Sequence, residues 1–358
     1  MDMHASDDDA RSRTFVHPGL LQSQELLLEL LVKANATTED SVMKTGYFSM
    51  IEERFASENY THRPFEVVEV AAGGSTESED HLRQDAAAAY AAALRWVKAG
   101  HRRHRDRAIT ILDDWAATFR DLEGPESFPE QTYLEAAWAL PLWVYAAEIV
   151  RSYRGGNGSG EWPQASQEQF NSFIDRLYAH AEKADLFNNN WRASRGLAML
   201  AVGVYQNDSS RYSAGKSEAM EMLPKLIQPS GEVHELKSKD CWHPQYSLTA
   251  LVQAAEIMKN QNDKDSLYDL KIDQDALPRL ALGLEYMAKS LEYGQGVRPC
   301  THYRLLGGYG EISARYYTQK GVHLSTLHRA VKNRKNRPSK FANQFASWDT
   351  ATHGSDAF

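Results

Sequence analysis

Cysteine is nearly absent: Cys241 and Cys300 are the only two in 358 residues. Two thiolates cannot complete a structural zinc cage by themselves. They read either as a bridge beside the segments that carry chemistry or as two unrelated thiols. Long apolar runs are missing too. None is uninterrupted enough to span a bilayer, so no membrane partner is expected. No run of alternating β-branched residues is long enough to build a sheet. Positive charge does not dominate. The net charge is −8 and no basic stripe crosses the body, which argues against a general nucleic-acid partner. The acidic start, Met1 to Ala10, has no hydrophobic segment and is not a secretory signal. Three familiar catalytic signatures are also missing: a Gly-x-Ser-x-Gly elbow, a His-Glu-x-x-His zinc helix and a phosphate-binding P-loop. No metal or other cofactor is expected.

What remains is a soluble, globular composition, 42% hydrophobic and 25% charged. The length suits one large domain or two ordinary ones. Residues 1–14 read as a disordered leader. Ser23 is a helix cap for the leucine stripe that follows, and residues 39–58 continue in helical style. Helical periodicity then recurs over Asp80–Lys98, Arg105–Arg120, Gln131–Arg151, Gln167–Lys183, Trp191–Gln206, Ser213–Ile227, Ser247–Lys259 and Leu277–Leu291. Pro224 is expected to kink or end its helix early. Similar lengths and short polar loops predict antiparallel helical hairpins. No fixed repeat supports a solenoid. The expected fold is all-α, an (α/α) toroid or incomplete barrel over residues 15–326, with an open bundle as the alternative. Residues 327–358 read as a basic and aromatic tail, part of which docks on the body. Four Asn-x-Ser/Thr sequons, at Asn35, Asn59, Asn157 and Asn207, fit a secreted protein whose signal is absent from this sequence.

Three clusters stand out. The strip Gly231–Leu248 joins two apolar helical segments yet carries His234, Glu235, Lys237, Lys239, Asp240, Cys241, Trp242, His243 and Tyr246. A plain connector has little use for so many titratable groups. Asn188, Asn189, Asn190 and Trp191 open a helix. One Asn suffices as a cap, and the other amides can donate to an anion at the helix's positive end. The third cluster, Tyr293 to Glu311, is rich in glycine, tyrosine and arginine and offers donors for carboxylates. Asn, His, Tyr and Arg are the groups that β-elimination on a uronic acid requires. The C5 proton is poorly acidic beside an ionised carboxylate. Hydrogen bonds that neutralise the carboxylate stabilise the enolate-like transition state. A His or Tyr then takes the proton, and a Tyr protonates the departing O4.

The order and spacing of these pieces resemble the alginate-lyase-type polysaccharide lyases, families 5 and 38 above all. The matching residues are His17-Pro-Gly-Leu-Leu21, Ala93-Leu-Arg-Trp96 with Ala108 to Trp115, the Asn-Asn-Asn-Trp191 motif, and Gly231 through Asp240-Cys-Trp-His-Pro-Gln-Tyr246. The resemblance covers residues 15–320. It implies a toroid that cleaves a β-1,4-linked polyuronate, alginate or glucuronan, without a metal. On this resemblance Asn189 or Asn190 neutralises the carboxylate, Trp191 shapes the subsite, and His243 is the base or acid. Arg298 and Tyr303 complete the catalytic set, with Tyr309 and Tyr316 competing for the tyrosine's role. Asn188, Trp191, Glu235, Lys239, Trp242, Gln245, Tyr246, Arg304, Tyr309 and Glu311 are expected around the substrate. Family 5 has a His where this chain has Asn190. Its Arg before the tyrosine motif is replaced by Lys237 or Lys239, or supplied by Arg298 or Arg304. The one expected partner is an acidic polysaccharide, and the chain is expected to be a monomer. A glycoside hydrolase using Asp240 and Glu235, or a non-catalytic carbohydrate-binding helical domain, are the alternatives.

Overall fold

In the computed structural model the described residues are all but 1–12, 38–40, 156–161, 239, 294–296, 298 and 343. Helices follow one another as antiparallel hairpins: α1 (Gln24–Asn35) with α2 (Val42–Ile51), α3 (Glu77–Ala99) with α4 (Arg102–Thr118), and α5 (Gln131–Ser152) with α6 (Gln164–Ala181). Then come α7 (Asn190–Gln206) with α8 (Ser209–Leu226), α9 (His243–Asn260) with α10 (Arg279–Glu292), and α11 (Gly310–Gln319) with α12 (Ser325–Lys332). The odd-numbered helix of each successive hairpin packs on the next, α3 on α5, α5 on α7, α7 on α9 and α9 on α11. The expected all-α toroid is what forms.

Sequence decides which helix faces in. α5 and α9 are buried along nearly their whole length, and α3 carries an unbroken alanine run, Ala86–Ala89, that lets neighbours approach closely. The even helices bury one stripe only, as α4 does with His104, Ala108, Ile111, Leu112 and Trp115. That amphipathic stripe faces the inner ring, and the polar face meets water. His104 is buried, and burial lowers its pKa to about 4.

Helix ends follow local chemistry. Ser23 caps α1 through the N–H of Leu26. Thr76 and Glu79 form a reciprocal capping box on α3, and Gly100 ends that helix in the left-handed region. Asp208 caps α8, which starts at Ser209, four residues before the start expected from periodicity. Pro224 lies in the last turn of α8, which ends at Leu226. The expectation of no sheet needs a correction: Val67–Glu69 (β1) and Asp121–Glu123 (β2) pair in parallel. Three residues each is too short for alternation to register in sequence.

Asp85 ties the α3–α4 hairpin to the loop ahead of it. Its fully buried carboxylate accepts from Tyr60 Oη (2.6 Å), Trp115 Nε1 (2.7 Å) and the backbone N–H of Arg63 (2.8 Å). Asp113 and Asp114 are not merely a solvated face. Asp113 accepts from Trp162 Nε1 at 2.9 Å and Asp114 pairs with His62 at 2.7 Å. At the chain's start, Arg13 pairs with Asp263 at 2.8 Å and stacks over Tyr212.

The residues after α12 run back across the ring. α13 (Asp349–His353) packs on α1, α2 and α11 and so joins the first hairpin to the last. Trp348, fully buried, stacks with Tyr90 of α3 and donates to Glu53 at 2.9 Å. Trp348→Ala removes the largest side chain of this closure. It is expected to cost about 3–5 kcal/mol, read as a lower midpoint in chemical denaturation.

Candidate active site

Each hairpin reverses the chain, so the inner helices run in the same direction. The starts of α3, α5, α7, α9 and α11 therefore gather at one end of the ring. Their positive poles favour an anionic ligand there. Most of the described residues singled out in sequence lie at or just ahead of these starts, although Tyr316 lies in the last turn of α11.

α9 begins at His243, four residues earlier than periodicity suggested, because Asp240 supplies the cap. Its Oδ1 accepts from the N–H groups of Trp242 (2.8 Å) and His243 (3.1 Å). Its Oδ2 meets Nδ1 of the His243 ring. Burial alone would raise the Asp240 pKa, but these hydrogen bonds outweigh it and hold the group below its usual value. An ionised carboxylate at Nδ1 keeps the proton on that nitrogen, which leaves Nε2 as the acceptor. The His243 side chain is 45% exposed. One turn on, Tyr246 sets its ring edge-on to His243 at 5.4 Å and to Trp138 of α5 at 5.5 Å. Burial raises the Tyr246 phenol, with Arg83 opposing and Asp240 adding to the shift.

Beneath Trp138 lies a charged group that sequence reading missed. Arg83 of α3 is buried, sits 5.7 Å from the Trp138 ring and donates to Glu79 and bidentately to Glu135. Two carboxylates share one guanidinium. Burial, and then the charge of Glu135, push Glu79 up to about 8. The i, i+4 spacing of Glu79 and Arg83 was visible in sequence, but the pairing with Glu135 spans two helices. Trp138, read as a core residue, is indeed buried but borders the site.

The asparagines divide their tasks. Asn188 accepts from Arg192 at 2.7 Å and Asn189 caps α7 through the N–H of Trp191. Asn190 is buried. Its N–H and Nδ2 both donate to Glu235, at 3.1 and 2.9 Å, and Ser247 of α9 donates to the same carboxylate at 2.8 Å. Glu235 is thus partnered by Asn190 and Ser247, with His243 oriented by Asp240 instead. It fastens α7 to α9 from the 3-10 turn His234–Ser238. Nothing among the described residues accepts from the amide nitrogens of Asn188 and Asn189, and Asn189 is the one of the two that caps the helix. The expectation for Trp191 changes as well: it is buried and packs on Phe128 and Phe187.

Several expectations in the third cluster are corrected. Tyr309 is fully buried and donates to Gln245 at 2.9 Å. Gln245 is itself fully buried. It accepts from the N–H of Leu306 and donates to the carbonyls of Cys241 and Arg304, so it fastens this loop to α9 instead of touching a ligand. Glu311 is buried against Arg337 at 2.7 Å and Thr350 at 3.2 Å, and burial raises it to about 7. Tyr316 donates to Asp269 at 2.7 Å, behind α9, and drops out as a proton donor. Cys241 and Cys300 are bridged, which brings the loop against the strip. There Tyr303 lies edge-on to Trp242 at 5.0 Å, and Arg304 is exposed with no side-chain partner among the described residues. Arg298 and Lys239 lie outside the described residues. No three His, Cys, Asp or Glu side chains among the described residues are grouped to hold a metal ion.

The family model for alginate lyases matches residues 59–295. The chain resembles the crystal structure of alginate lyase A1-III from Sphingomonas species A1 with a TM-score of 0.71 at 14% identity, over 97% of this chain and 99% of that one. A tetrasaccharide complex of a variant of alginate lyase A1-III gives 0.69 at 14% identity, over 98% and 100%. An alginate lyase from Bacteroides ovatus gives 0.66 at 11% identity, over 92% and 100%. No curated protein matches the chain in sequence. The chain belongs to the alginate lyase family and is a polysaccharide lyase.

Glu235→Ala leaves two donors of Asn190 and the Ser247 hydroxyl without their acceptor. It is expected to destabilise the fold by roughly 2–4 kcal/mol and to speed hydrogen exchange at the Asn190 amide. An unchanged melting temperature and unchanged exchange would contradict the fastening role.

Proposed function

We propose that the protein cleaves a β-1,4-linked polyuronate, alginate or glucuronan, by β-elimination, with protein side chains carrying both proton transfers. The observation that carries this reading is the line Asp240–His243–Tyr246 at the converging helix starts. Asp240 holds the imidazole with Nε2 outward, which suits His243 to take the C5 proton as general base. The raised Tyr246 phenol keeps its proton, which suits it to serve as acid toward O4. The C5 electron pair forms the C4=C5 double bond as the C4–O4 bond breaks, and O4 leaves with the proton from Tyr246. Proton return from His243 through solvent restores the phenol. The carboxylate of the same sugar is met by the Asn189 amide and the helix poles, with Arg304 as the nearby cation. Tyr246, first read as a binding residue, thereby takes the role given to Tyr303. Trp242 and Tyr303 become an aromatic wall beside the centre.

The hydrolase alternative needs two free carboxylates. Asp240 and Glu235 are both committed, to the imidazole and to Asn190, which weakens that reading. The Cys241–Cys300 bridge supports an oxidising, extracellular setting. No helix among the described residues is long and apolar enough to cross a membrane. We take the chain as a monomer acting on an acidic polysaccharide.

Incubation with polymannuronate, polyguluronate and glucuronan is expected to raise the ultraviolet absorbance of the unsaturated product on at least one of them. Silence on all three would sink the reading. His243→Ala should abolish turnover. Activity kept within tenfold, about 1.4 kcal/mol of barrier, would remove His243 from the proton path. Tyr246→Phe should lower kcat by at least a hundredfold. Because the phenol is held above its usual value of about 10, its ionisation should cause no loss of rate below pH 10. A descending limb at lower pH that vanishes in Tyr246→Phe would contradict that assignment.

A further inference from the structure

The turn ahead of α7 presents two adjacent apolar side chains to solvent, Leu186 and Phe187, each 46% exposed. Single exposed apolar residues are ordinary, but Phe187 is also held in place. Its ring meets Trp191 edge-on at 5.1 Å and lies 6.4 Å from Phe128. The turn itself is stiffened from both sides. The N–H of Asn189 donates to the Phe187 carbonyl at 2.8 Å, and Asn188 is held by Arg192. Arg192 and Arg195 are engaged with Glu218, and Lys183 stacks over Tyr133. The nearby cations are thus occupied, and what the turn offers a ligand is an apolar, pre-ordered ring.

We infer that Phe187, with Leu186 beside it, is a stacking platform for a pyranose ring of the substrate chain, at a subsite flanking the bond that breaks. A pyranose carries C–H groups on its faces and polar groups at its edges, so an aromatic face suits it without recognising the carboxylate. Ring order gives the position. Phe128 and Phe187 precede α5 and α7, whereas Trp242 and Tyr303 precede α9 and α11. The two aromatic groups therefore lie on opposite sides of the Asn190–Glu235–Ser247 junction. A chain crossing the centre meets one at each side. Stacking at Phe187 adds affinity for long chains and discriminates little between uronate epimers.

This inference rests on the polyuronate reading, and the test separates the two. In a His243→Ala background, binding of polymannuronate and glucuronan oligosaccharides of three to eight sugars is measured by calorimetry. Affinity is expected to rise with length, and Phe187→Ala is expected to remove about a tenfold part of that rise, with Phe187→Trp restoring it. In the active enzyme the same substitution should raise KM for long chains more than it lowers kcat. If the His243→Ala protein binds none of these oligosaccharides, the substrate reading fails. If it binds them and Phe187→Ala changes nothing, or weakens all lengths equally, the platform is overturned. Circular dichroism melts confirm that the variants fold.

Discussion

Burial of the inner helices is the constraint on which the rest depends. A helix surrounded by protein carries charge on its sides only where a partner meets it, as Glu135 meets Arg83, and its backbone groups are satisfied internally except at its ends. Polar chemistry is therefore pushed to the termini. Because successive hairpins reverse the chain, the starts of five such helices share one end of the ring. Thr76 and Glu79 cap α3, Asn189 caps α7 and Asp240 caps α9, and the same residues or their neighbours form the site. In this protein, capping a helix and building the cleft are largely one requirement.

That shared requirement explains a division of labour among the carboxylates. Asp240 is ionised, half-buried and turned to an imidazole. Glu235 is used up in joining α7 to α9. Glu79 and Glu135 are locked on Arg83 under Trp138, where Glu79 is held protonated at neutral pH. The candidate site thus keeps its own carboxylates paired or neutralised.

The fold was legible because helical periodicity and the cap at Ser23 are local signals. Short loops between helices of similar length carried the toroid. The strip around His243 was legible from its density of titratable groups. Partnerships between distant residues were not. Nothing in sequence distinguishes Tyr246 from Tyr303, Tyr309 or Tyr316 as a proton donor. Burial removes two of the four, since Tyr309 points into the interior and Tyr316 lies behind α9, while Tyr246 and Tyr303 are both half-buried. No signal in sequence marked Arg83 as paired with Glu135, which lies 52 positions away from it. Gln245 and Glu311, expected around the substrate, are buried and serve as fasteners, because a buried polar side chain must first satisfy its own neighbours.

The closure of the ring by α13 has a consequence for the order in which the molecule is made. Hairpins that pack on their predecessors can settle one after another as the chain leaves the ribosome. The contacts between the first hairpin and the last must wait for α11, whose Arg315 pairs with Glu29 of α1, and for α13, which follows every helix of the ring. Until then the array is an open arc, with α1 and α2 lacking one neighbour. Closure of the circle thus comes after the other hairpins have been made, and α11 and α13 decide whether the arc becomes a ring.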